Sequence, residues 1–273
     1  MVTKLFQSTF PVLFLVAIAI QTQAQEASLK YPLSVTASAD SIYVADRQLP
    51  GIWVITNNKA SIFYRAAKKF GTPLNAIRCL AVDRSGNLLA GDSATREIYR
   101  FNSEGVPTAL TGGKIGVPMG IAVSTDGTIY VSDLELHRIV KVAADGVVSD
   151  FAKVKGPAGM SFDADENLYV ASRAAERLVQ ISVEGIVSPV AGASEIRFAQ
   201  DVAVDAAGRV LVTDGYGKTI WNFKGGAARV VEGEPLVHPV GISSSAAGTF
   251  LVDPRGVGVL KLDGDDVRAV LSD

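Results

Sequence analysis

The residues able to do chemistry are few. The 273-residue chain holds two histidines, His137 and His238, and one cysteine, Cys79. A zinc site needs converging His, Cys or carboxylate ligands, and a calcium site needs several oxygens. Neither set is legible, so no metal and no cofactor is assigned. Carboxylates do recur, as Asp46, Asp92, Asp133, Asp214 and Asp253, each closing a short apolar run. That regularity marks them as groups that order the following loop through its backbone amides. Cys79 stands beside Arg78, and a neighbouring cation can activate a thiol. No histidine is placed to serve it as a base, so Cys79 reads as a small buried residue and no catalytic residue is assigned. The polar residues left to explain are Arg78, Gln200, Asp201 and His238, and whether they meet depends on what positions them.

The unit that positions them is Val117 to Lys153. It reads as a Pro-x-Gly lead-in, a short apolar strand, a D-x-x-G turn, an apolar strand ending in Asp, a short loop, an R-I-x-K-V strand, a turn and a last strand. The second strand recurs as IYVAD to Asp46, LLAGD to Asp92, IYVSD to Asp133, LYVAS to Ser172, VLVTD to Asp214 and FLVD to Asp253. A period of about 40 residues repeated in phase is the signature of propeller blades. The second strands are apolar at consecutive positions, as expected of strands buried on both faces. The third strands alternate around Val54, Arg100, Lys141, Gln180, Asn222 and Lys261 and should be half exposed. Turns such as DRSGN from Asp83 and DAAGR from Asp205 suit tight antiparallel hairpins.

The expected fold is therefore all-β, a six-bladed β-propeller of four-stranded antiparallel blades, which leaves only short, protected sheet edges. The first blade should open on an innermost strand near Pro32 and the last close on an outermost strand near Val267. The ring would then close by packing the face of blade 1 on blade 6. The residue between Pro and Gly of each lead-in should face the central channel: Leu33, Arg78, Met119, Ala158, Gln200 and Val240. Arg78, Gln200, Asp201 and His238 then gather at an otherwise apolar mouth and form the candidate ligand-binding set.

GIAVSTDGTIYVSDLELHRIVKV in blade 3 resembles the NHL repeat, matching it at Asp133, His137, Arg138 and Ile139, and all six units resemble it in outline. The chain is more distantly similar to the senescence marker protein and gluconolactonase propellers. That second resemblance implies a lactonase with Glu, Asn and Asp ligands on channel-facing strands, but Met119 and Gln200 stand where Asn and Asp would be wanted. What the first implies is a propeller used as a binding module; a lactonase-like hydrolase or lyase with a degenerate channel site is the alternative.

Lys4, the apolar run from Phe10 to Ile20 and the small residues Thr22 and Ala24 read as a secretory signal peptide over residues 1–24, followed by one domain over 25–273. The run is too short to span a bilayer, which takes about 20 apolar residues, so the mature protein is expected to be exported, periplasmic or secreted, without a membrane span. One cysteine excludes an intrachain disulfide. A net charge of −2 does not suit a nucleic-acid partner, and a monomer is expected. Lys and Arg predominate on the side of the blade crossovers, Lys153 and Lys155 among them, whereas Asp and Glu predominate on the turn side. The crossover face is thus the expected binding face, for a small anionic molecule or an acidic protein surface.

Overall fold

The computed structural model describes residues 28–271, apart from positions 39, 50, 68, 70, 225, 226, 232–235 and 257, and only the backbone at 227–231. Residues 1–24, read as a signal peptide, lie outside the described residues. Among those described, the strands form six four-stranded antiparallel sheets, each ordered in sequence from the axis outward. The chain is an all-β six-bladed propeller. No described helix is long and apolar enough to cross a membrane. The first strand is Pro32–Ala37 and the last is Asp266–Ala269, so every blade is made of consecutive strands.

Burial follows the repeat. The second strands Leu88–Asp92, Ile129–Asp133 and Val210–Asp214 are buried at every position, since each lies between two neighbouring blades. Lys141 and Gln180 are half-buried on the third strands, as expected. Asn222 instead is buried, in a strand whose Trp221 donates its indole N–H to Asp214 at 3.2 Å. Blade interfaces are filled by branched aliphatics and by edge-to-face rings. Phe63 packs on Phe101 across blades 1 and 2, and Tyr130 on Phe162 across blades 3 and 4. Each buried Val, Leu or Ile contributes roughly 1.5–3 kcal/mol. Ring closure uses the same contact, because Val35, Val44 and Trp53 of blade 1 share a core with Phe250, Val252 and Val259 of blade 6.

The lead-in motif has a physical cause. The inner strands are Pro32–Ala37, Ile77–Val82, Pro118–Val123, Pro157–Phe162, Ala199–Val204 and Gly241–Ser245. They converge so closely that a Cβ on Gly120 would stand 2.7 Å from the Ala158 carbonyl, and one on Gly241 2.7 Å from the Leu33 carbonyl. Side chains tie these strands together where space permits. Ser34 accepts the Leu80 amide at 3.0 Å, Ser161 accepts the Val204 amide at 3.1 Å, and Thr213 donates to the Val240 carbonyl at 2.9 Å. In several of the inner strands the lead-in carries a bulge. Register slips between Pro32 and Ser34, Ile77 and Cys79, and Ala199 and Asp201, and an extra residue in one strand re-aims its side chain.

Candidate functional site

The bulges open onto an axial cavity of about 890 Å³. Leu33, Arg78, Met119, Gln200 and Val240 line it, as the repeat predicts. Ala158 is fully buried and is not part of the lining. Asp201 and His238 also line the cavity, so the structure brings together Arg78, Gln200, Asp201 and His238. Lys153 and Lys155 are exposed on the outer strand of blade 3 and the crossover after it, and neither reaches the lining.

A set of buried carboxylates holds the mouth in shape. Asp253 accepts the amides of Val237 and His238 at 2.6 and 2.7 Å, and those of Arg255 and Gly256 at 3.0 and 2.8 Å. Asp214 does the same for Arg197 and Phe198 on one side and Gly217 on the other. Asp46 and Asp92 repeat the pattern. Each carboxylate therefore clamps the lead-in of its inner strand to the loop after its second strand, supplying acceptors for amides that have no strand partner. Asp133 adds Arg138 at 3.3 Å. In blade 4 Ser172 fills the same place with a single hydroxyl, donating to Lys155 and accepting from Ala174.

Asp201 belongs to the wall. One oxygen accepts the Val202 amide at 2.9 Å and the other the Ile242 amide at 3.0 Å, and the carboxylate fills the space a Cβ on Gly159 would need. Burial pushes its pKa up to about 7 against those two hydrogen bonds, which lower it. Burial, and then the charge of Asp201, also push the Cys79 thiol well up, while Arg78 offsets only part of this. Cys79 is thus a protonated packing group, its sulfur set where Gly91 has no side chain.

The mouth carries two residues that the repeat pattern did not single out. Arg47 and Arg173 immediately follow the last residues of their second strands, and both line the cavity. Their amides bond back to the lead-in, Arg47 to the Tyr31 carbonyl at 3.0 Å and Arg173 to the Gly156 carbonyl at 2.8 Å, which sets them beside the inner strands. The signal was present: the same place holds Ser93, Leu134, Gly215 and Pro254 in the other blades. Among the described residues none of Arg47, Arg78 and Arg173 has a carboxylate partner. Arg78 donates only to the Ser93 hydroxyl, at 3.2 Å. Arg47 lies over the Tyr31 ring and Arg173 over Phe198. The Arg173 Nε is buried without a hydrogen-bond acceptor. Burial, and after it the positive charge of Arg78, pull Arg173 below the usual guanidinium range.

The opposite end of the cavity is acidic but internally satisfied. Asp83 pairs with Arg100 at 2.9 Å, Asp205 pairs with Arg209 at 2.6 Å, and Asp163 accepts from the Asn167 amide. Arg84 at that end donates to the Ser124 carbonyl at 3.0 Å, and Glu166 accepts the Thr125 amide at 3.1 Å. Among the described residues no group of three His, Cys, Asp or Glu side chains is arranged to hold a metal ion.

No protein-family model matches the chain, and no curated protein matches it in sequence. Solved structures do match in shape. A gluconolactonase from Xanthomonas campestris is 16% identical with a TM-score of 0.72, over 85% of each chain. A chain of a nidogen–laminin complex is 19% identical with a TM-score of 0.69, over 87% of this chain and 92% of that one. Virginiamycin B lyase from Staphylococcus aureus is 16% identical with a TM-score of 0.66, over 88% and 83%. At these identities the likeness is one of fold, and the protein is a six-bladed β-propeller that resembles a gluconolactonase, a lyase and a chain of a nidogen–laminin complex only in shape.

Proposed function

We propose that this protein is an exported binding propeller that takes a small anion at the crossover mouth of its channel, held by Arg78 and Arg173 with Arg47 nearby. The observation that carries the reading is the buried Arg173 Nε, which has no acceptor and lies within the field of Arg78. An unpaired, partly desolvated guanidinium destabilises a fold, and a carboxylate or phosphate supplies the two acceptors its planar fork is shaped for. Gln200 and His238, on the same lining, are placed to orient such a ligand. An acidic side chain presented by a protein surface would meet the same groups, and the nidogen–laminin neighbour supports that use of the fold.

The test is thermal shift with acetate, succinate, phosphate and sulfate on the wild type and on Arg173→Gln. The wild type should be stabilised by at least one of them, and the variant should melt no lower than wild type while losing that response. A variant that melts several degrees lower without ligand makes Arg173 a structural residue and overturns the reading. The alternative, a lactonase-like hydrolase or lyase, is favoured instead if the protein opens a lactone and Arg173→Gln or a chelator abolishes that. Export is checked by mass spectrometry of protein from the native host, with the mature chain starting near Gln25.

A further inference from the structure

A series of ring contacts runs beside the mouth from Arg173 to His238. Arg173 lies 5.6 Å from the Phe198 ring centroid, Phe198 packs edge-to-face on Tyr216 at 5.1 Å, and Tyr216 does so on His238 at 6.0 Å. Arg173 and His238 line the cavity, whereas Phe198 and Tyr216 between them stand outside its lining. The chain segments that carry it are clamped, Phe198 by Asp214 and His238 by Asp253. The His238 ring is held besides by the Gly215 carbonyl, 2.8 Å from Nδ1. Tyr216 is nevertheless 64% exposed, among the most exposed large hydrophobic residues of those described. A ring that packs on two clamped neighbours and is left open to solvent beside unpaired cations has the character of a ligand platform.

The floor of the mouth narrows the ligand class. Leu33, Met119 and Val240 are apolar, the Asp201 carboxylate is engaged by two amides, and Gln200 is the free polar group among the bulge positions apart from Arg78. A hydroxyl directed at Leu33, Met119 or Val240 would be left without a partner, which costs about 1–3 kcal/mol for each buried one. A flat apolar ring would lose nothing there, and the Met119 thioether and Tyr216 both favour contact with aromatic rings.

We infer that the crossover mouth is a site for an aromatic carboxylate, whose anionic group meets Arg78 and Arg173 and whose ring lies on the Leu33–Met119–Val240 side and reaches past His238 to the exposed Tyr216. This inference rests on the anion site proposed above and adds the identity of the rest of the ligand.

Calorimetric titration of the full chain with 2-naphthoate, acetate and glucuronate tests it. The expected result is that 2-naphthoate binds about tenfold or more tightly than either of the others, and that Tyr216→Ala lowers its affinity by about fivefold while leaving acetate unchanged. Arg173→Gln should weaken naphthoate and acetate alike. Glucuronate binding as tightly as naphthoate, or indifference of naphthoate to Tyr216→Ala, overturns the aromatic assignment while leaving the anion site standing. Failure of every carboxylate to bind overturns both. Because Tyr216 is exposed, its truncation should leave the melting temperature unchanged, and a circular-dichroism melt confirms that the variant is folded.

Discussion

Asp201 on the inner strand of blade 5 accepts the Ile242 amide of blade 6 at 3.0 Å, which makes an acidic side chain the link between two blades. The same carboxylate is pushed up to about 7 by burial. A carboxyl whose folded pKa lies above its unfolded value of about 3.9 stabilises the fold in full only below that unfolded value, and the contribution is lost as pH rises through about 7. Thermal melts should therefore show a stability component that declines between about pH 4 and pH 7 and is flat above. Asp201→Asn should remove that slope, whatever it does to the absolute melting temperature, and an unchanged slope would show that another group carries the dependence.

The buried clamps should matter more than their surface-loop location suggests. Removing Asp253 strands four backbone amides, including that of His238. At about 1–3 kcal/mol for each unsatisfied buried group, and with incomplete additivity, Asp253→Ala should cost about 3 kcal/mol or more. Ser172→Ala, which removes the simpler hydroxyl clamp of blade 4, should cost about 1 kcal/mol. Urea denaturation of the two variants decides, and equal losses would refute the clamp account.

Gly241→Ala tests ring closure. Its new Cβ would meet the Leu33 carbonyl across the junction of blades 6 and 1 at 2.7 Å. Overpacking of this kind costs about 1–3 kcal/mol. A denaturation midpoint equal to wild type would mean that the inner strands can spread apart at that seam.

Lys153 and Lys155 should act at long range. Both are exposed and neither lines the cavity, so reversing them to Glu should slow association of an anionic ligand at low salt through the lost field. At 1 M salt, where screening acts over about 3 Å, the reversed and native proteins should associate alike. Stopped-flow association rates at the two ionic strengths check this; a deficit that persists at high salt would mean direct contact.

Much of this protein was determined locally and so could be read along the chain. The phase of second strands such as IYVSD, the D-x-x-G turns and the Pro-x-Gly lead-ins place four strands per unit and put Leu33, Arg78, Met119, Gln200 and Val240 on the channel, because each repeat builds its own blade from neighbouring residues. The tertiary structure decided what those residues meet. Asp201 sits one residue beyond a channel-facing bulge, yet Gly159 on one side and Ile242 on the other turn it into a cross-blade link. Arg47 and Arg173 follow strand-ending residues in blades 1 and 4, far apart in sequence, and join Arg78 only once the ring has closed around a common axis. Lys153 stands on the outermost strand of its blade and is carried away from the mouth by the same geometry. A repeat specifies radius and height within its own blade, whereas the distance between charges in different blades is set by the number of blades and the packing of their faces.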